Sequence, residues 1–151
     1  MAELTTTITE SVILNGSVRG SSNVLTTSDI VDVYERILTL AHSNTTTIVT
    51  FGSTPHSSAG AVDVENAKYV RVTNLSTTDD MILAFTTTST ASNYQVTVRA
   101  GGSHVLFQAE DAILGEGDST PTMSGLADIV TIQARPSATT DVQCEIFIAL
   151  V

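Results

Sequence analysis

Three histidines, one cysteine and sixteen carboxylates are the main candidates for chemistry in this chain of 151 residues. Ser103 and His104 are adjacent, with Asp111 close behind, which brings a serine triad to mind. Gly101-Gly102-Ser103-His104 is, however, a turn entering a strand and not a nucleophile elbow of the G-x-S-x-G kind. Neighbouring residues of a strand point to opposite faces, so Ser103 and His104 cannot converge on one substrate. The histidines at 42, 56 and 104 stand far apart, and no Cys/His pair has zinc spacing. The stretch AEDAILGEGDST gathers Glu110, Asp111, Glu116 and Asp118 in one loop. Calcium favours oxygen-rich loops, but this spacing does not follow the twelve-residue EF-hand pattern. Gly115-x-Gly117 and Gly101-Gly102 lack the lysine and helix of a phosphate cradle. Asp79-Asp80 reads as a turn. Cys144 alternates with apolar residues and reads as a small core side chain. No catalytic residue, metal site or cofactor follows from these groups, and the expectation is a protein that is not an enzyme.

The elements that carry these residues are strands. Thr and Ser together make up about a quarter of the chain, and aromatic residues only 5%. A core of Val, Ile, Leu and Ala under a Thr-rich exterior is what pleated, half-buried strands require. The opening stretch alternates through Ile8, Glu10, Val12 and Leu14 and then meets Asn15-Gly16, the dipeptide that suits a tight hairpin. Gly20-Ser21-Ser22 loosens the return strand, which resumes at Val24-Leu25.

Residues 28–43 read two ways. Ile30, Val33, Tyr34, Ile37 and Leu40 fit a helix face capped by Ser28, whereas Val31, Val33, Ile37 and Thr39 fit a strand. The strand is preferred: Val33–Ala41, pairing with Thr45–Phe51. GSTPHSSAGA follows as a loop. KYVRVTNLSTTDDMILAF holds two alternating strands around a polar turn, with Val70 and Val72 on one face and Tyr69, Arg71 and Thr73 on the other. Met81, Leu83 and Phe85 alternate against Ile82 and Ala84. YQVTVRAGGSHVLF reads as a hairpin with Val105 and Phe107 facing inward. Residues 108–127 form the longest irregular stretch, of a length expected to be functional or ordered by a partner.

Two strands around Pro136-Ser137-Ala138-Thr139 close the pattern, the second with Val142, Cys144, Ile146, Ile148 and Leu150 on one face. The end of that strand, IFIALV, is apolar on both faces. It is expected either at the centre of its sheet or against another subunit, because an open apolar edge invites aggregation. Ile146, Phe147, Ile148, Leu150 and Val151 are therefore the candidates for core and subunit contact. The acidic loop residues Glu110, Asp111, Glu116 and Asp118 are the candidates for contact with other proteins. Eight to ten short strands, without repeat or linker, predict a single all-β domain over residues 1–151: an antiparallel β-sandwich, jelly-roll-like.

The net charge of −10 excludes the basic surface that nucleic acid or an anionic membrane would require. The N-terminal sequence has no basic and apolar regions of a signal peptide, and no apolar run has the length of a membrane span. The expectation is a soluble protein made in a cytoplasm. Only 15% of residues are charged, which fits a surface partly covered in an assembly.

The segments AELTTTITESVILNGSVRG, YERILTLAHSNTTTIVTFGS and VENAKYVRVTNLSTTDDMILAF, then AGGSHVL and LADIVTIQAR, carry a resemblance across nearly the whole chain. The chain resembles the small virion structural proteins of tailed bacteriophages, especially phages of marine bacteria and cyanobacteria. The resemblance implies a non-enzymatic subunit located in the virion, present in many copies. It would pack as a homo-oligomer, a trimer among the options, against itself and the major capsid protein or other virion proteins. Capsid decoration or knob is the first expectation. A tail, neck or fibre-attachment component and a carbohydrate-binding host-attachment module are the alternatives, the last disfavoured by the absence of Trp. The resembling segments are strand and turn positions, so no functional residue is carried over.

Overall fold

The computed structural model describes residues 2–54, 61–88, 93–115, 120–121 and 123–151. All regular structure in them is strand. Nine strands build two facing sheets, and four more build a separate N-terminal hairpin.

The hairpin comprises β1 (Ala2–Thr9), β2 (Val12–Leu14), β3 (Ser17–Arg19) and β4 (Ser22–Ile30). The body follows as β5 (Asp32–Leu40), β6 (Thr46–Gly52), β7 (Ala61–Asp63), β8 (Ala67–Asn74), β9 (Met81–Thr86), β10 (Asn93–Val98), β11 (Ser103–Leu106), β12 (Thr131–Pro136) and β13 (Val142–Leu150). One sheet has the order β11-β8-β13-β5 and the other β10-β9-β12-β6-β7.

Within these sheets the antiparallel pairs are nested. β9 pairs with β10, β8 with β11, β6 with β12, and β5 with β13. These pairs thus form one long hairpin, rolled so that each successive pair, β9–β10, β8–β11, β6–β12 and β5–β13, falls in the opposite sheet from the one before. That is the jelly-roll arrangement, and it bears out the expected fold class. The described residues hold thirteen strands, more than the expected eight to ten, because the N-terminal hairpin divides into four and β7 is added. The short strand β7 was not foreseen; it adds to β6 in the parallel sense, so the sandwich is not wholly antiparallel.

The nesting corrects two expected pairings. Residues 33–41 do form a strand and not a helix, but β5 pairs with β13, while β6 lies in the other sheet beside β12. His42 turns the corner between them, its backbone N–H donating to Asp141 at 2.9 Å and its ring meeting the same carboxylate at 2.8 Å. Likewise β10 and β11 do not form a hairpin: they belong to opposite sheets, joined by a corner where Gly101 takes a φ of +70°. Crossing to the other sheet reverses which side of the strand meets the core. His104 and Leu106 consequently point inward, opposite Val72 and Val70, and Val105 and Phe107 point outward.

The core is aliphatic. Leu40, Ile48, Met81, Leu83, Phe85, Ile129, Ile132, Ile146, Ile148, Val70, Val72 and Val142 are fully enclosed between the sheets. At about 2 kcal/mol for each such side chain removed from water, this layer is the main stabilising contribution. One buried polar side chain organises the β8–β9 corner. The Asn74 amide donates to the carbonyls of Asp79 (2.8 Å) and Val98 (3.1 Å), and its oxygen accepts from the Ser76 N–H (3.0 Å).

Candidate interaction surface

The N-terminal hairpin follows from local sequence. Asn15 and Gly16 have φ of +50° and +77°, the two positive values that a tight two-residue turn demands. Midway along, Gly20 (φ +132°) lies so close to the opposite strand that a Cβ there would fall 2.0 Å from the Glu10 carbonyl oxygen. Any other residue would force the strands apart. At the base, Asp29 adopts a left-handed φ of +63°, a value tolerated by Asp, where the register of β1 with β4 shifts. Val31 then donates its N–H to the Leu150 carbonyl, entering the body.

This hairpin is an arm. Its strands pair only with each other. At the root, Leu4, Thr5, Thr6 and Thr7 border a shallow pocket with Tyr69, Arg71 and Phe147 on the outer face of the four-stranded sheet. There Arg71 is ion-paired with Glu145 and lies over the Phe147 ring, 5.7 Å from its centroid. Val24 and Leu25, across from Thr7 and Thr6, are exposed, and beyond the root the arm carries Ile8, Val12 and Leu14, also exposed, and Ile13 and Val18 at 73% exposure. Cross-strand pairing sets Val12 and Leu14 with Arg19 and Ser17 on one side of the tip, and Ile13 with Val18 on the other. The tip is apolar on both sides.

A second exposed apolar feature begins where the arm ends. Val31 precedes β5, and Val33 and Ile37 stand on the outer face of that edge strand, with Glu35 between them on the same side. Most of the large apolar side chains that the described residues expose therefore lie on the arm and this stripe. Scattered exposed apolar residues need no explanation, but contiguous ones mark interaction sites.

The residues singled out from sequence fall elsewhere. β13 is central in its sheet, between β8 and β5. Ile146 and Ile148 are wholly enclosed and Leu150 nearly so, which makes them core of their own chain. Phe147 faces outward beneath the arm root, making an edge contact with Tyr69. Val151 lines a cleft with Val31, Asp32 and Tyr34 and donates its N–H to the Asn66 carbonyl. Glu110 lies 3.7 Å from the Lys68 ammonium, and the Asp111 N–H donates to Asp128 at 2.8 Å. Glu116 and Asp118 lie outside the described residues, as does His56. Among the described residues no group of three or more His, Cys, Asp or Glu could hold a metal ion.

Comparison with known proteins finds no matching family model, curated protein or solved structure.

The remaining chemical groups are placed by the same geometry. Ser103 faces outward with its hydroxyl 2.9 Å from that of Thr73, and His104 faces inward. The imidazole lies 5.2 Å from the Phe85 ring and 6.2 Å from Tyr94, and burial lowers its pKa. Cys144 is buried, and desolvation pushes its thiol up to about 11, far from a reactive thiolate.

Sequence reasoning found the hairpin but not its isolation. The available signal was charge: between Ser11 and Ser28 the only ionisable side chain is Arg19, in a segment that also carries six large aliphatic residues. A strand apolar on both sides, Val12-Ile13-Leu14, joined by a two-residue turn to a return strand with a single charge, has too much apolar surface to be a solvated hairpin.

Proposed function

We propose that this chain is a non-enzymatic structural subunit of a bacteriophage particle, acting as a capsid decoration or knob protein that assembles with copies of itself and with other virion proteins. The observation that carries the reading is the concentration of exposed apolar side chains on the arm and the adjoining edge strand. A two-stranded hairpin is marginally stable alone in water, so this arm needs a partner. The jelly roll adds support, since capsid domains use it to tile surfaces; lectins use it too, so the fold by itself does not choose. The sequence resemblance to small virion proteins of tailed phages supplies the choice.

The test is quantitative mass spectrometry of purified particles, measuring this chain relative to the major capsid protein. A ratio near one, or a fixed large fraction of one, supports decoration of the shell. A few copies per hundred moves the subunit to the tail, neck or fibres. Absence from particles overturns the reading.

A further inference from the structure

We infer that the arm docks on a second copy of this chain, with the Val12/Leu14/Arg19 side of its tip seated on the neighbour's Val33/Glu35/Ile37 stripe. The inference deepens the reading of the chain as an assembling subunit by naming the partner.

Charge is the first argument. The chain as a whole is strongly acidic, so two copies repel unless the contact avoids like charges. The distal arm meets that condition: Arg19 is its only charge between Ser11 and Ser28. The stripe offers the complement. Glu35 stands between Val33 and Ile37, and none of the ion pairs among the described residues involves Glu35 or Arg19. Arg19 faces the same way as Val12 and Leu14, so a contact that seats this side of the tip on the stripe puts the guanidinium within side-chain reach of Glu35.

Area is the second. Beyond the root, seven residues on each strand, Ile8 to Leu14 and Ser17 to Asn23, reach about 24 Å at roughly 3.4 Å per residue, and two strands span about 10 Å. Covering both faces of that length removes roughly 480 Å²; in a reciprocal contact, where each subunit gives one arm and receives another, the total per partner approaches the ~800 Å² of a standard stable interface, whereas one face alone gives about half. Both faces must therefore be covered, which agrees with the apolar residues on both sides of the tip.

Position is the third. The stripe starts at Val31, one residue after the arm of the same chain ends at Ile30. An incoming arm on the stripe lies beside the resident arm, whose Ile8 and Leu25 are exposed. The resident arm provides the cover that the stripe alone cannot. Because arm and stripe are different patches of one chain, each subunit both gives and receives, and the contact closes as a reciprocal dimer or a ring.

The experiment uses the full chain, with native mass spectrometry and light scattering across a concentration series. The expected result is an oligomer at about 10 μM that Leu14→Asp and Ile37→Asp each weaken by a hundredfold or more, with unchanged far-ultraviolet circular dichroism. Both sites are exposed, so the folded body survives either change. Arg19→Glu and Glu35→Arg should each weaken association about tenfold, and together restore it to within about threefold, as a direct pair requires. Wild-type protein that stays monomeric at about 100 μM overturns the inference, as does an oligomer indifferent to these substitutions or a double reversal that fails to recover. A monomer that is nonetheless abundant in particles would overturn this inference alone and leave the structural role standing, with the arm bound to another virion protein.

Discussion

Truncation after Glu145 tests how the body is held together. It removes Ile146, Phe147, Ile148, Ala149, Leu150 and Val151, the end of the strand at the centre of the four-stranded sheet. Ile146, Ile148 and Leu150 lose their burial, at about 2 kcal/mol each. The loss does not stop there. Among the described residues β13 is the only partner of β5, so the greater part of β5, from Asp32 to Arg36, is left without a strand to pair with. Tyr34, which packs at the core edge, is released with it. On the other side β8 keeps only the short β11 over the same span. Outer-face packing of Phe147 on Tyr69 disappears as well. The side-chain burial alone reaches the lower end of the 5–15 kcal/mol that holds ordinary domains folded, and the lost pairing exceeds it. The truncated chain is therefore expected to be insoluble or unfolded, by size-exclusion chromatography and circular dichroism with a thermal melt. A soluble truncation that melts cooperatively would refute the placement of β13 as the keystone of its sheet.

Other substitutions probe single groups. Asn74→Ala leaves two carbonyls and one N–H of the β8–β9 corner without their partner and should cost about 2–3 kcal/mol, read as a lower urea midpoint; Asn74→Asp, which sets a carboxylate against those carbonyls, should cost more. His104 gives a pH dependence. Burial holds its folded-state pKa below the ordinary imidazole value, so the native state binds fewer protons than the unfolded one. Its contribution is full above that value and falls as pH drops through it. The difference in urea midpoint between wild type and His104→Gln should therefore shift between pH 7.5 and pH 5 in the direction of wild-type loss, and an unchanged difference would contradict the inward placement. Cys144 should resist a thiol-reactive dye in the native protein and react fully in denaturant; rapid native labelling would show that the strand is open.

The faces of individual strands were legible in the sequence, and their partners were not. Val70 with Val72, Met81 with Leu83 and Phe85, and the alternating run from Val142 to Leu150 all face the core as their spacing requires. Asn15-Gly16 turns where its chemistry demands. Alternation states which side of a strand is apolar and is silent on which strand lies beside it. A glycine corner such as Gly101-Gly102 reverses the chain equally well within one sheet or between two. Hence β10–β11 and β5–β6 read as hairpins, and Val105 was assigned inward when its neighbour His104 holds that place. The arm was hidden for a related reason: Ile8, Val12 and Leu14 alternate like any core strand, and period-two spacing cannot tell a side chain covered by its own chain from one awaiting cover. Ile146 and Phe147 sit on opposite faces of a central strand, so a single apolar run held a core position and an outward one together.

The nested pairing also fixes an order of events. The inner pair, β9 with β10, joins segments near one another in the chain and closes cheaply, while β5 waits for β13, roughly a hundred residues further on. During synthesis β5 and the arm ahead of it are made before β13 and remain without a strand to complete the sheet until Leu150 is made. The acceptor stripe on β5 is not a formed surface before that moment. A nascent chain can thus expose its apolar arm but cannot receive a neighbour's, and the capacity to assemble arrives with β13, together with the sheet it completes.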